Sequence, residues 1–159
     1  MRDHNIILSC QKNISPWGQV RIMLSQTAEH ALRAVLYLAE KGDDRLVPVD
    51  EIAQALGIPR NYLSKIVHVL ARERVLASAR GQGGGFRLGA PADRLRLLAV
   101  IAPFDRLDNR RRCLLGRAEC SDSRACAAHA RWKDVADTVA SFFRETTVAD
   151  LSRGAVVPA

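Results

Sequence analysis

Apolar residues first recur at helical spacing at Ala28, Ala31, Leu32, Val35, Leu38 and Ala39, with Glu29, Arg33 and Glu40 off that stripe. This predicts an amphipathic helix from Ser25 to about Lys41. A shorter face follows at Ile52, Ala53 and Leu56, and Gly57 ends it. Pro59 stands where the missing N–H of a first-turn proline loses no helical partner. Leu63, Ile66, Val67 and Leu70 then give a second inward face, so "EIAQALGIPRNYLSKIVHVL" reads as two helices about a tight turn, a helix-turn-helix. Strand-like pieces at Leu76 to Arg80 and Phe86 to Leu88 flank a turn with four glycines, the pattern of a hairpin whose backbone approaches something closely. Leu95 to Ile101 reads as a further helix. Trp132, Val135, Val139 and Phe142 run as a stripe along "AHARWKDVADTVASFFRETTVADL", one long amphipathic helix. The predicted fold is mainly α with a small β-hairpin wing: a winged helix-turn-helix followed by a long C-terminal helix.

These elements divide the chain. Residues 1–22 show no periodicity and hold the turn signal Pro16-Trp17-Gly18, so they are expected to be a poorly ordered extension. Residues 23–103 form the winged helix-turn-helix, 104–128 a cysteine-rich loop, 129–151 the long helix and its end, and 152–159 a tail. The first helix and the helix-turn-helix already supply a core. The stripe on the long helix is therefore expected to bury itself against the same helix of a second subunit, giving a twofold homodimer.

Composition fits a soluble protein: 159 residues, 48% hydrophobic and 26% charged. No apolar run approaches the roughly 20 residues of a membrane span, and Ile6-Ile7-Leu8 is too short for the apolar core of a secretory signal. The expected setting is the cytoplasm, where clustered cysteines serve as metal ligands or redox thiols rather than structural disulfides.

Charge adds a partner. The formal net charge is +7, which favours a polyanion. Its excess is local. Between Arg45 and Leu88 stand seven basic residues against three acidic ones, whereas residues 127–159 carry four of each. The predicted second helix of the helix-turn-helix offers Arg60, Asn61, Tyr62, Ser64, Lys65 and His68, donors and acceptors suited to phosphates and base edges in a major groove about 12 Å wide. Arg80 and Gln82, with Arg87 across the turn, would let the wing meet a minor groove or backbone. A nucleotide cradle is a weaker reading of the glycines, because no capped helix follows them directly and no acid stands where a ribose would need one. The expected partner is double-stranded DNA.

Three of the four cysteines, Cys113, Cys120 and Cys126, fall within fourteen residues, with His129 just behind. The C-x6-C-x5-C spacing is too long for most zinc knuckles, though Cys126 and His129 could complete a Cys3His site. Three thiolates on a loop equally suit a multi-iron cluster, whose irons spread the attachment points. Arg110, Arg111, Arg112 and Arg117 would offset its negative charge. Without a C-x-x-C pair or a base set beside a nucleophile, the chain does not read as an enzyme, and a thiol oxidoreductase is the least favoured class.

Taken together, "MLSQTAEHALRAVLYLA", "EIAQALGIPRNYLSKIVHVL", "RGQGGGFRLGAP", the three-cysteine loop and the closing "TVADL" resemble the IscR/NsrR-type iron–sulfur transcriptional regulators of the Rrf superfamily, over residues 23 to about 151. The resemblance implies a dimeric regulator, expected to be a repressor, that binds promoter DNA according to the state of a cluster held by Cys113, Cys120 and Cys126. It leaves a [2Fe–2S] and a [4Fe–4S] cluster both open. It also implies a choice of fourth ligand, His129 of the same chain or Glu29 from the partner subunit, and a signal of nitric oxide, redox change or iron status. The sequence departs from the pattern at Ala125, where proline is expected, in the longer first spacing, and at Cys10, which matches nothing. A cluster-free thiol–disulfide regulator, using Cys120 and Cys126, and a zinc-binding regulator remain the alternatives.

Overall fold

The computed structural model describes residues 24–42, 44–105 and 122–152. The expected N-terminal extension, most of the cysteine-rich loop and all of the tail but Ser152 lie outside them.

The central element is α1, Gln26–Lys41. Ser25 caps it by accepting from the Ala28 N–H at 3.2 Å, satisfying one of the donors a helix start leaves unpaired. Its buried face carries Ala28, Ala31 and Ala34 beside Val35, Leu36 and Leu38. The alanines let neighbouring elements come close, and the second and third helices, the second strand, and the short helices at Leu97–Ile101 and Val148–Ser152 all pack on this helix.

Helix α2, Val49–Leu56, ends at Gly57, whose φ of 63° is left-handed. The Gly57 N–H bonds to Gln54 O and the Ile58 N–H to Ala53 O at 3.0 Å, the paired bonds of a Schellman turn that only a residue without Cβ enters cheaply. Helix α3, Arg60–Arg72, follows, burying Leu63, Ile66, Val67 and Leu70. Its end repeats the device without glycine. Arg74 takes φ 62°, and Val75 N–H bonds back to Leu70 O at 2.9 Å.

Strands β1, Leu76–Ala79, and β2, Gly85–Leu88, pair antiparallel with Leu76 opposite Leu88 and Ala79 opposite Gly85. Phe86 and Leu88 point into the core while Arg87 points out. The wing is anchored by two hydrogen bonds of 2.9 Å between Val47 and Phe86. At Gly85 a Cβ would stand 2.5 Å from Val47 O, so a Gly85→Ala variant must break this anchor. We expect a loss of about 1–3 kcal/mol in urea unfolding, the usual cost of overpacking.

Helix α4 spans Leu97–Ile101 and α5 spans His129–Glu145. The long C-terminal helix predicted from 128 to 151 is in fact interrupted. At Thr146 the backbone becomes extended, and a five-residue helix, α6, Val148–Ser152, begins after Thr147. The cause is a reciprocal cap. Asp150 Oδ2 accepts from the Thr147 N–H at 2.8 Å, and Thr147 Oγ1 accepts from the Asp150 N–H at 3.2 Å, so a local start signal overrides the continuing apolar pattern. The break is stitched to the segment before α4. Leu97 N–H bonds Thr146 O at 3.0 Å and Val148 N–H bonds Leu95 O at 2.8 Å, and the Arg96 guanidinium bonds the Glu145 carbonyl.

Candidate nucleic-acid interface

The residues expected to read DNA occupy the first two turns of α3 and the wing tip. Arg60, Asn61 and Lys65 are exposed, Ser64 is half-buried, and Arg80 and Gln82 are exposed. Gln82 sits between Gly81 (φ 95°) and Gly83 (φ 77°), two left-handed residues that turn the hairpin sharply enough to present it. His68, also exposed, packs its ring edge against Phe86 at 5.4 Å and so joins α3 to the wing.

Two features were not foreseen. Asp50, in the first turn of α2, bonds the Arg60 Nε, with both side chains more than half exposed. That pairing engages one edge of the guanidinium and leaves its terminal nitrogens for a phosphate or a guanine. No sequence signal marks it, because ten residues separate the pair. Tyr62 is half-buried rather than exposed. Its hydroxyl meets Thr27 Oγ1 at 2.6 Å, and its ring meets His30 at 5.6 Å, edge to face. Burial, and then the Arg33 guanidinium, push the His30 pKa down from its ordinary value, which keeps this ring neutral near pH 7.

Only the two ends of the cysteine-rich loop are described. Where the loop leaves, Asp105 Oδ2 accepts from the Ser25 N–H at 2.6 Å. Where it returns, a short 3-10 turn at Asp122–Arg124 leads to Cys126, which is half-buried. His129 N–H bonds Cys126 O at 2.9 Å. The His129 ring, 11% exposed, places Nε2 2.7 Å from Asp122 Oδ1. Lys133 Nζ lies 3.5 Å from the same oxygen. The hydrogen bond with His129, and next the charge of Lys133, hold the Asp122 carboxyl below the usual carboxylate range. Glu29 is exposed in the first turn of α1. Cys113 and Cys120 lie outside the described residues, and among the described residues no three potential metal ligands converge.

Helix α5 divides its apolar residues between two faces. Phe143 is buried in the core, whereas Val135 is 53% and Phe142 46% exposed. Ala127, Ala128, Arg131, Trp132 and Val135 line an open, mostly apolar groove. No helix among the described residues is long and apolar enough to cross a membrane.

Residues 24–154 match the family model Rrf2, described as an iron-dependent transcriptional regulator. An HTH-type transcriptional regulator of Aquifex aeolicus is 36% identical over 132 residues, covering 82% of this chain and 91% of the relative. The HTH-type transcriptional regulator IscR of Vibrio atlanticus is 32% identical over 130 residues, covering 82% and 75%. Among solved structures, CymR (YrzC), the global cysteine regulator of B. subtilis, superimposes with a TM-score of 0.71 at 22% identity, covering 83% of this chain and 97% of its own. IscR from T. potens gives 0.65 at 19%, covering 84% and 88%. A basic helix-turn-helix with a hairpin beside it, matched along most of its length to regulators of transcription, identifies this chain as a member of the Rrf2 family: an IscR-like, winged-helix, DNA-binding transcriptional regulator and not an enzyme.

Proposed function

We propose that this regulator acts as a homodimeric repressor that holds an iron–sulfur cluster through Cys113, Cys120, Cys126 and His129, and that the cluster sets its affinity for promoter DNA. The observation that carries the reading is the start of α5, where Cys126 and His129 stand three residues apart and the imidazole is oriented by Asp122 at 2.7 Å. A carboxylate on one ring nitrogen is the support that metal-ligating histidines characteristically have. Three thiols and an imidazole form a soft donor set that suits cluster irons. Glu29, offered by a second subunit, is the alternative fourth donor. Both a [2Fe–2S] and a [4Fe–4S] cluster are compatible with this set.

When bound, such a cluster supplies a group that nitric oxide, oxygen or iron shortage can alter. The chain's own residues supply the connection to DNA. Asp105 ties the departing end of the loop to the cap of α1, and Asp122 with Lys133 ties the returning end to α5. A loop held by the cluster would thereby join the helix-turn-helix to the helix whose exposed face would pair two subunits. Fixing that join favours one separation of the two recognition helices, and half-sites one DNA turn apart require about 34–36 Å. A coupling of about 1–3 kcal/mol would change occupancy roughly 5- to 150-fold.

Purification without air, with iron and acid-labile sulfide assays on the parent chain and a Cys113→Ser, Cys120→Ser, Cys126→Ser variant, tests the proposal. The expected result is iron, sulfide and a visible sulfur-to-iron charge-transfer band in the parent alone, with different operator affinity in the two. Zinc instead of iron, or a reversible disulfide in a metal-free parent, would replace this reading with one of its alternatives.

A further inference from the structure

The inward face of α3 is apolar, and burying Leu63, Ile66, Val67 and Leu70 sets which side of the helix faces out. One directional contact does more. Tyr62, in the first turn of α3, bonds Thr27 Oγ1 at 2.6 Å across 35 residues of chain. It also lays its ring against the edge of His30. Thr27 and His30 lie three residues apart on α1 and so share a face. The turn that carries them is braced on two sides, by the Ser25 side chain on the Ala28 N–H and by Asp105 on the Ser25 N–H. Tyr62 is flanked by Arg60, Asn61 and Lys65, all exposed.

We infer that Thr27 is a positioning residue for DNA recognition: by holding the Tyr62 hydroxyl against a braced turn of α1, it fixes the rotation of the first turn of α3 and so aims Arg60, Asn61 and Lys65 at base edges. Because Thr27 sits on α1, it needs no contact with DNA to do this. Phosphate attraction tolerates a small rotation of the helix, whereas hydrogen bonds to base edges do not. The contact therefore acts on sequence discrimination and not on general affinity.

The test uses the full chain and two duplexes of equal length, one enriched by the parent protein from a random-sequence library and one with that sequence scrambled. Thr27→Val and Tyr62→Phe are each expected to lower the ratio of enriched to scrambled affinity about tenfold, the scale of one directional hydrogen bond. For Thr27→Val, affinity for the scrambled duplex and its salt dependence stay as in the parent. Thr27→Ser, which keeps the hydroxyl, restores the ratio, and the Thr27→Val, Tyr62→Phe double variant loses no more than either single one. Equal losses on both duplexes, an unchanged ratio, or a Thr27→Ser variant that behaves like Thr27→Val would overturn the assignment. Melting curves of all four variants separate a general loss of structure from the expected loss of discrimination.

Discussion

An Arg60→Ala, Lys65→Ala variant is expected to bind duplex DNA roughly a hundredfold more weakly than the parent at equal salt. The slope of log affinity against log salt should become shallower by about two. Both side chains are exposed on the first two turns of α3, so their loss leaves the core untouched. The stability effect should be small. The Arg60–Asp50 pair is solvated on both sides, and such pairs contribute about 0–1 kcal/mol. On DNA the balance reverses. Each lost phosphate contact removes released counterions, and without Arg60 the Asp50 carboxylate would face a polyanion unpaired. Binding measured by fluorescence anisotropy at several salt concentrations reads both quantities, and an unchanged slope would dismiss α3 as the reading helix.

The proposed pairing surface gives the second large effect. Val135→Glu with Phe142→Glu is expected to leave the chain monomeric at concentrations where the parent sediments as a dimer. About half of each side chain is still open to water, worth about 1 kcal/mol each on further burial. In a twofold interface every substitution occurs twice, so about 4 kcal/mol is lost, or nearly a thousandfold in dissociation constant. Four introduced carboxylates add repulsion. Equal sedimentation of parent and variant would show that this face pairs with nothing.

Much of the fold was legible because its signals are local. Gly57 announces the turn between α2 and α3, the apolar spacing of α3 names its buried residues, and the glycines of 81–85 bound the hairpin within a residue or so. The interruption at Thr146 was hidden, because the apolar pattern continues through it and only the Thr147–Asp150 cap reveals a new start. Arg74 was hidden too. Nothing about arginine suggests left-handed backbone, and the tight return of α3 to β1 imposes it at roughly 1–2 kcal/mol. The stripe on α5 was found from its spacing, yet spacing could not show that Phe143, one residue from Phe142, is what enters the core. At the proposed interface, charge and exposure single out Arg60, Asn61 and Lys65 as candidates. The partners that hold them or their neighbours, Asp50 and Thr27, lie 10 and 35 residues away, and a single sequence carries no periodic trace of such pairs. Asp122, seven residues before His129, leaves no trace in the sequence pattern for the same reason.

The stitching of residues 146–148 to residues 95–97 ties the C-terminal end of α5 to the segment before α4. The orientation of Phe142 is thus referenced to the core through three residues of helix, and that of Val135 through ten. One extra residue inserted between Phe142 and Thr146 would turn that pair about 100° around the helix axis, carrying it away from any twofold mate while α1 to α4 stayed intact. Helix length there sets which way the exposed apolar face points as much as the identity of its side chains does.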